Sequence, residues 1–135
     1  MAGETTGRRR PLRVIQWSTG NAGRKALRGI LHHPELERVG VHAHSPEKVG
    51  RDAAELCGWG KPTGVIATDD AAALLALDAD CVCHTARGET RIRETVDDLC
   101  RILESGKNVV NTSIVSLVYP PFSSPKIRSR LEAAC

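Results

Sequence analysis

At 135 residues, 41% hydrophobic and 26% charged, the chain has room for one compact domain with a sizeable core, which excludes the collagen-like, coiled-coil and intrinsically disordered classes. Aromatic residues make up only 3%, so the core must be built from Val, Ile, Leu and Ala, the palette of buried parallel strands and their covering helices. The net charge of +3 traces to Arg8, Arg9, Arg10 and Arg13, a basic run that reads as a disordered, solvated leader over residues 1–11 and not as a nucleic-acid face, since no reading motif or interleaved aromatic accompanies it.

No apolar run approaches the roughly 20 residues of a membrane span. Five cysteines at irregular spacing, with no secretion signal, point to a reducing cytoplasm and away from a disulfide framework.

In chain order, residues 12–18 read as a near-continuous apolar strand that stops at the turn Ser18-Thr19-Gly20-Asn21-Ala22-Gly23. Leu27, Ile30 and Leu31 then mark one face of a helix, ended near His33 by Pro34. Residues 38–43 form a second strand, and Ser45-Pro46 reads as the N-cap and first position of a helix with Val49, Ala53 and Leu56 inside, closed by Gly58. Residues 65–68 make a short third strand, and Asp69 can cap a helix over 71–77.

A fourth strand covers 80–85. Ile92, Val96, Leu99 and Leu103 mark a long amphipathic helix over 89–105, with Gly106 at its end. Residues 107–112 are a fifth strand and 124–134 a last helix. Strands alternating with helices predict an α/β, Rossmann-like, doubly wound parallel sheet in the order 3-2-1-4-5 over residues 12–121. Residues 122–135 read as the start of a truncated helix with neither a Gly cap nor the sixth strand it would normally feed, so the chain looks cut short.

The first strand runs into Gly20-x-x-Gly23-x-x-Ala26 at the start of the first helix. Gly20 is expected to allow the tight turn, Gly23 to let a pyrophosphate approach the backbone, and Ala26 to permit close helix packing. The helix amino end supplies free N–H groups and the positive end of its dipole. Thr19, Gly20, Asn21, Ala22, Gly23 and Arg24 are therefore the candidate phosphate-binding residues.

NAD sites usually carry an acidic residue at the tip of the second strand, where this chain has His44, Ser45 and Lys48. Those groups suit a 2′-phosphate and favour NADP, although Glu47 keeps NAD open. Helix capping alone also accounts for Ser45. Thr85, Ala86 and Arg87 follow the fourth strand and are expected at the nicotinamide-ribose end, with Asn111 and Thr112 opposite. Ordinary loop polarity explains these equally well.

On these residues, and on Arg24-Lys25-Ala26, the segment 44–52, the segment 80–86 and the run Gly106-Lys107-Asn108-Val109-Val110-Asn111-Thr112-Ser113, the chain resembles the dihydrodipicolinate reductase-like superfamily. Its branch of 2,4-diaminopentanoate dehydrogenase-like amine dehydrogenases is the most similar. The resemblance covers residues 12–121. It implies a nicotinamide dinucleotide on this domain and hydride transfer with a small amino-acid-like substrate. It also implies that substrate recognition and homo-oligomerisation are supplied by a further C-terminal domain, so no catalytic residue is assigned and the chain alone is expected to be inactive. A non-catalytic NADP-binding module or truncated gene product is the alternative.

Two related patterns fail by letter. Tyr119 has Ser123, not Lys, four residues on, and Asn111-Thr112-Ser113 stands where a glucose-fructose oxidoreductase-like chain carries Glu-Lys-Pro. His32-His33 copies two letters of the reductases' catalytic segment, but it sits at a helix end where positive charge is favourable. Cys81, Cys83 and His84 lack the spacing of a metal site, and the two cysteines read as small apolar residues of a buried strand.

Overall fold

The computed structural model describes residues 9–135. Strands β1 (Leu12–Trp17), β2 (Leu36–His42), β3 (Cys81–His84) and β4 (Asn108–Asn111) pair in parallel in the order β2-β1-β3-β4. The helices are α1 (Asn21–His32), α2 (Ala53–Cys57), α3 (Ala71–Leu75), α4 (Ile92–Glu104) and α5 (Pro125–Ala134), with 3-10 turns at Val115–Val118 and Pro120–Phe122.

Because strand side chains alternate between faces, the sheet carries two cores. On one face, Val41 and Ala43 pack with Leu27 of α1 and with Ala53, Leu56 and Cys57 of α2. On the other, Ile15, Trp17 and Val82 meet Leu74 of α3 and Ile102 of α4. Ile127, Leu131 and Ala134 of α5 extend that side by packing on Val96, Leu99 and Cys100 of α4. Helices on both faces of a parallel sheet are the doubly wound arrangement expected. Where β3 and β4 turn away from α4 the cover is thin: Cys81 and Cys83 are half-buried and Val110 is 62% exposed.

The expected first, second, fourth and fifth strands are β1 to β4, in their expected neighbourhood. The expected third strand is not one. Residues 65–68 lie beside β2 as predicted but make only two bridges, His42 with Thr68 and Asp52 with Ile66. Their backbone groups are drawn off by the preceding turn, where Ala67 donates to the Arg51 carbonyl at 2.9 Å and accepts from Gly50 N at 2.8 Å. The order 3-2-1-4-5 therefore becomes a four-stranded sheet with a residual fifth position.

The helix expected from Ser45 is likewise a turn. Lys48 N and Val49 N both bond to the Ser45 carbonyl, but the left-handed Gly50, φ 88°, ends the run. The true N-cap is Asp52, which accepts from Ala54 N at 2.8 Å and also from Thr63 N, Thr63 Oγ1 and Gly64 N. Burial pulls its carboxyl upward, but those donors outweigh it and hold the group down at about 2. Asp70, not Asp69, caps α3, accepting from Ala73 N at 3.0 Å.

Arg8, in the basic leader, lies outside the described residues. Arg10 does not fit the expectation of a merely solvated run: its guanidinium donates twice to Asp80, at 2.8 Å each. Asp80 also accepts from Arg13 N at 2.7 Å.

Candidate functional site

β1 ends at Trp17 and the chain turns through Ser18, whose φ of 86° is unique among the described non-glycine residues. A left-handed non-glycine residue costs about 1–2 kcal/mol, and the bonds around Ser18 hold it there. Ser18 N donates to the His42 carbonyl at 3.0 Å, and the Ser18 carbonyl accepts from Gln16 Nε2 at 2.9 Å. Gln16 is buried, and the same amide donates to Thr85 Oγ1 at 2.9 Å. One glutamine thus binds the ends of β1 and β3 together beneath the turn.

Gly20 is the N-cap of α1, with φ −71° and extended backbone, so it uses no conformation reserved for glycine. A Cβ there would meet nothing nearer than Ser18 Oγ at 4.0 Å. A Cβ on Gly23 would overlap the Ser18 carbonyl and come within 2.9 Å of Thr85 Oγ1. Gly23 is thus needed for close packing, the role expected of Ala26, and Gly20 leaves space at the helix end. The first helical bond runs from Arg24 N to the Gly20 carbonyl at 2.8 Å. The N–H groups of Asn21, Ala22 and Gly23 precede it and have no intrahelical acceptor, which makes this end receptive to an anion.

Two clefts open along the carboxyl edge of the sheet, and the second borders that helix end. One, of about 300 Å³, lies toward β2 and is lined by Trp17, His42, His44 and Ala71, and by Arg91, Glu94, Thr95, Asp98 and Arg101 from or beside α4. The other, of about 390 Å³, lies toward β3 and β4 and is lined by Gly20, Asn21, Ala22, Thr85, Gly88, Glu89, Thr112 and Ser113. Ser18, Ala86 and Arg87 line both. Ala86 and Arg87, expected only at the nicotinamide end, form the divide between the clefts.

The structure does not gather every candidate. Arg24 lines a separate groove with Asn21, Lys25, Arg28 and Cys57. Thr19 is buried, and its carbonyl accepts from Lys48 Nζ at 3.0 Å. Lys48 therefore tethers the β2 turn to the glycine turn. Ser45 and Lys48 line neither cleft. Asn111 is spent on its own loop, its Oδ1 accepting from Ser113 N at 3.2 Å and Ile114 N at 3.4 Å.

Several residues escaped sequence reasoning. Trp17 and His42 stack with ring centroids 4.2 Å apart and 2° between planes. His84 is fully buried, its Nδ1 2.6 Å from Ser113 Oγ, which donates to the His84 carbonyl at 3.2 Å. That pairing puts the ring proton on Nδ1. Burial brings the His84 ring down to about 4, and it also lowers His42, with His44 adding to the effect. The readable signals were a Trp and a Gln in the first strand and a His ending another.

A parallel sheet whose first strand turns tightly into a helix amino end, with two clefts at the carboxyl edge, defines a Rossmann-like fold. No family model matches the chain. The amine dehydrogenase of Streptomyces virginiae is 39% identical over 121 residues, 90% of this chain and 34% of that protein. The 4-hydroxy-tetrahydrodipicolinate reductase of Trichormus variabilis is 34% identical over 56 residues, 42% of this chain and 20% of that enzyme.

Among solved structures, the amine dehydrogenase from Mycobacterium smegmatis superposes with a TM-score of 0.77 at 29% identity, covering 94% of this chain and 36% of that one. Biliverdin reductase from Synechocystis sp. PCC 6803, in complex with biliverdin and NADP+, shares the fold, with a TM-score of 0.64 at 16% identity over 92% of this chain and 35% of its own. These relatives bear out the resemblance to the reductase-like superfamily and its amine dehydrogenase branch. The chain spans about a third of the length of the amine dehydrogenases it matches. No described helix is long and apolar enough to cross a membrane.

Proposed function

We propose that this chain binds a nicotinamide dinucleotide, NADPH in preference to NADH, as the cofactor-binding part of a cytoplasmic oxidoreductase of the amine dehydrogenase type. The observation that carries the reading is the open space over Gly20 at the amino end of α1, in the cleft toward β3 and β4. The free N–H groups of Asn21, Ala22 and Gly23 suit a pyrophosphate there. By the general rule that the ribose next to adenine lies at the tip of the second strand, the adenosine half belongs in the cleft beside His44. The nicotinamide half then belongs beside Thr85 and Thr112.

The bound nicotinamide supplies the hydride, for exchange with an imine or unsaturated carbon of a small amino-acid-like substrate. This chain's residues bind and orient it. Gln16 and Ser18 hold the turn, Lys48 fixes the neighbouring loop, and Arg87 and Arg91 offer cationic donors suited to a 2′-phosphate, with His44 lining the same cleft. Substrate recognition is assigned to polypeptide beyond the third of the relatives' length covered here, and the chain alone is expected to turn nothing over. Calorimetric titration with NADPH and NADH tests the reading. NADPH should bind more tightly, and failure to bind either cofactor would overturn it.

A further inference from the structure

The two edges of the sheet are unlike. β2 carries Glu37 and Arg38, and residues 65–68 lie along it: Thr68 N donates to the Val41 carbonyl and Ala43 N to the Thr68 carbonyl, each at 3.0 Å. Charged side chains and a covering loop are the ordinary protection of an exposed strand. β4, Asn108-Val109-Val110-Asn111, has neither charge nor proline, and among the described residues it pairs with β3 alone. Asn108 N and Thr112 N donate toward β3, to the carbonyls of Asp80 and His84, at 3.1 Å each. By the alternation of a strand, Val109 and Asn111 therefore turn their N–H and C=O groups outward from the edge. The Val109 side chain packs toward α4, and Val110, beside Cys83 in register, is exposed on the opposite face.

We infer that a second copy of this chain adds to the sheet at β4, antiparallel, about a two-fold axis through Val110. The outward groups alternate donor and acceptor, and β4 of a copy offers the same set, so the edge is complementary to itself. Centred on Val110, the pairing lets Val109 of each copy exchange both backbone bonds with Asn111 of the other, and uses every outward group of the strand. Centring on Val109 or Asn111 would set one of them against residues outside β4. Val110 then meets its own copy at the axis, apolar against apolar. A stable interface removes roughly 800 Å² from each partner, more than one short strand edge supplies. Val115, Val118, Tyr119 and Phe122, exposed just beyond the carboxyl end of β4, add apolar area at both ends of the pairing. Asn108 of one copy comes opposite Thr112 of the other, at the lip of the cleft toward β3 and β4. This inference draws nothing from the dinucleotide reading.

Sedimentation velocity over a concentration series tests it on the full chain. The unmutated protein should sediment as a dimer, and Val110→Lys, which sets two ammonium groups face to face across the axis, should shift to monomer with native circular dichroism. Cross-linking reads the register separately, in a background of Cys81→Ser, Cys83→Ser and Cys135→Ser that removes the neighbouring and exposed thiols. Val110→Cys should give a disulfide-linked dimer on mild oxidation, because facing residues of such a pair lie about 4.5 Å apart at Cα, within the span of a disulfide. Asn108→Cys, exposed on the same face but about 14 Å from its copy in this register, should not. An unmutated chain that stays monomeric at every concentration would overturn the inference. So would a dimer that survives Val110→Lys, or equal cross-linking of the two cysteine variants.

Discussion

Gly20→Val and Gly23→Ala separate ligand approach from packing, because the two glycines stand one helical turn apart and do different things. At Gly20 the new side chain enters open space, 4.0 Å from its nearest neighbour. Its structural cost is that of a poor N-cap, about 1 kcal/mol, but it fills the volume a pyrophosphate would occupy. At Gly23 a single methyl overlaps the Ser18 carbonyl, which is backbone already held by Gln16 and cannot swing aside. That overpacking should cost about 3 kcal/mol, or roughly 9–18 °C in Tm at an intermediate 3–6 °C per kcal/mol. Thermal unfolding paired with NADPH titration distinguishes them. Gly20→Val should melt within roughly 3–6 °C of the unmutated chain and lose NADPH binding, whereas Gly23→Ala should lose stability first. Unchanged affinity in a folded Gly20→Val, or an unshifted melting temperature in Gly23→Ala, would refute the assignment of the two glycines.

Lys48→Ala should weaken NADPH and NADH alike, by about tenfold, because the amine holds the Thr19 carbonyl; a loss confined to NADPH in parallel titrations would show that it reads the phosphate. His84 is held down at about 4 against an ordinary 6.5, so the unfolded chain binds more protons between those values and stability should fall as pH drops from 6.5 to 4. Urea midpoints across that range should show the slope, and His84→Gln should flatten it. Asp52, held at about 2 against 3.8, contributes stability above its unfolded value that is lost as pH falls from 4 toward 2; Asp52→Asn should remove that later loss in the same measurement. Val118 and Phe122 are 86% and 83% exposed beside Val115 and Tyr119, a patch that predicts self-association. Light scattering should detect it, and Val118→Ser with Phe122→Ser should reduce it.

Periodicity and punctuation made most of the fold legible. Ile92, Val96 and Leu99 announced α4, the last helix expected over 124–134 is α5, and the apolar runs of β1 and β3 fell where expected. What failed was competition between partners. Residues 65–68 have a strand's composition, but the turn at Gly50 and Arg51 reaches their backbone groups first. Ser45-Pro46 has the chemistry of a helix start, yet Gly50 in the left-handed region closes the turn before a helix can propagate. At the site, glycine spacing located the turn but could not say which glycine faces a neighbour, since that depends on where the Ser18 carbonyl points. The tether from Lys48 to Thr19 spans 29 positions and the pair Arg10 and Asp80 spans 70, separations at which no local pattern carries information.

Short as it is, β3 is pinned at both ends by side chains. Asp80, just before it, grips Arg10 and the amide of Arg13 at the entrance to β1. His84, its last residue, is latched to Ser113 beyond β4. A strand anchored fore and aft cannot slide along its axis, so a molecule pressing on Thr85 or Ala86 meets a fixed strut. Any accommodation must come from the span between Arg87 and Arg91, where Gly88 sits against the Ser113 backbone. The two clefts that meet at Ala86 and Arg87 would then adjust through that one short loop, making it the mechanical coupling between the two halves of whatever ligand lies across it.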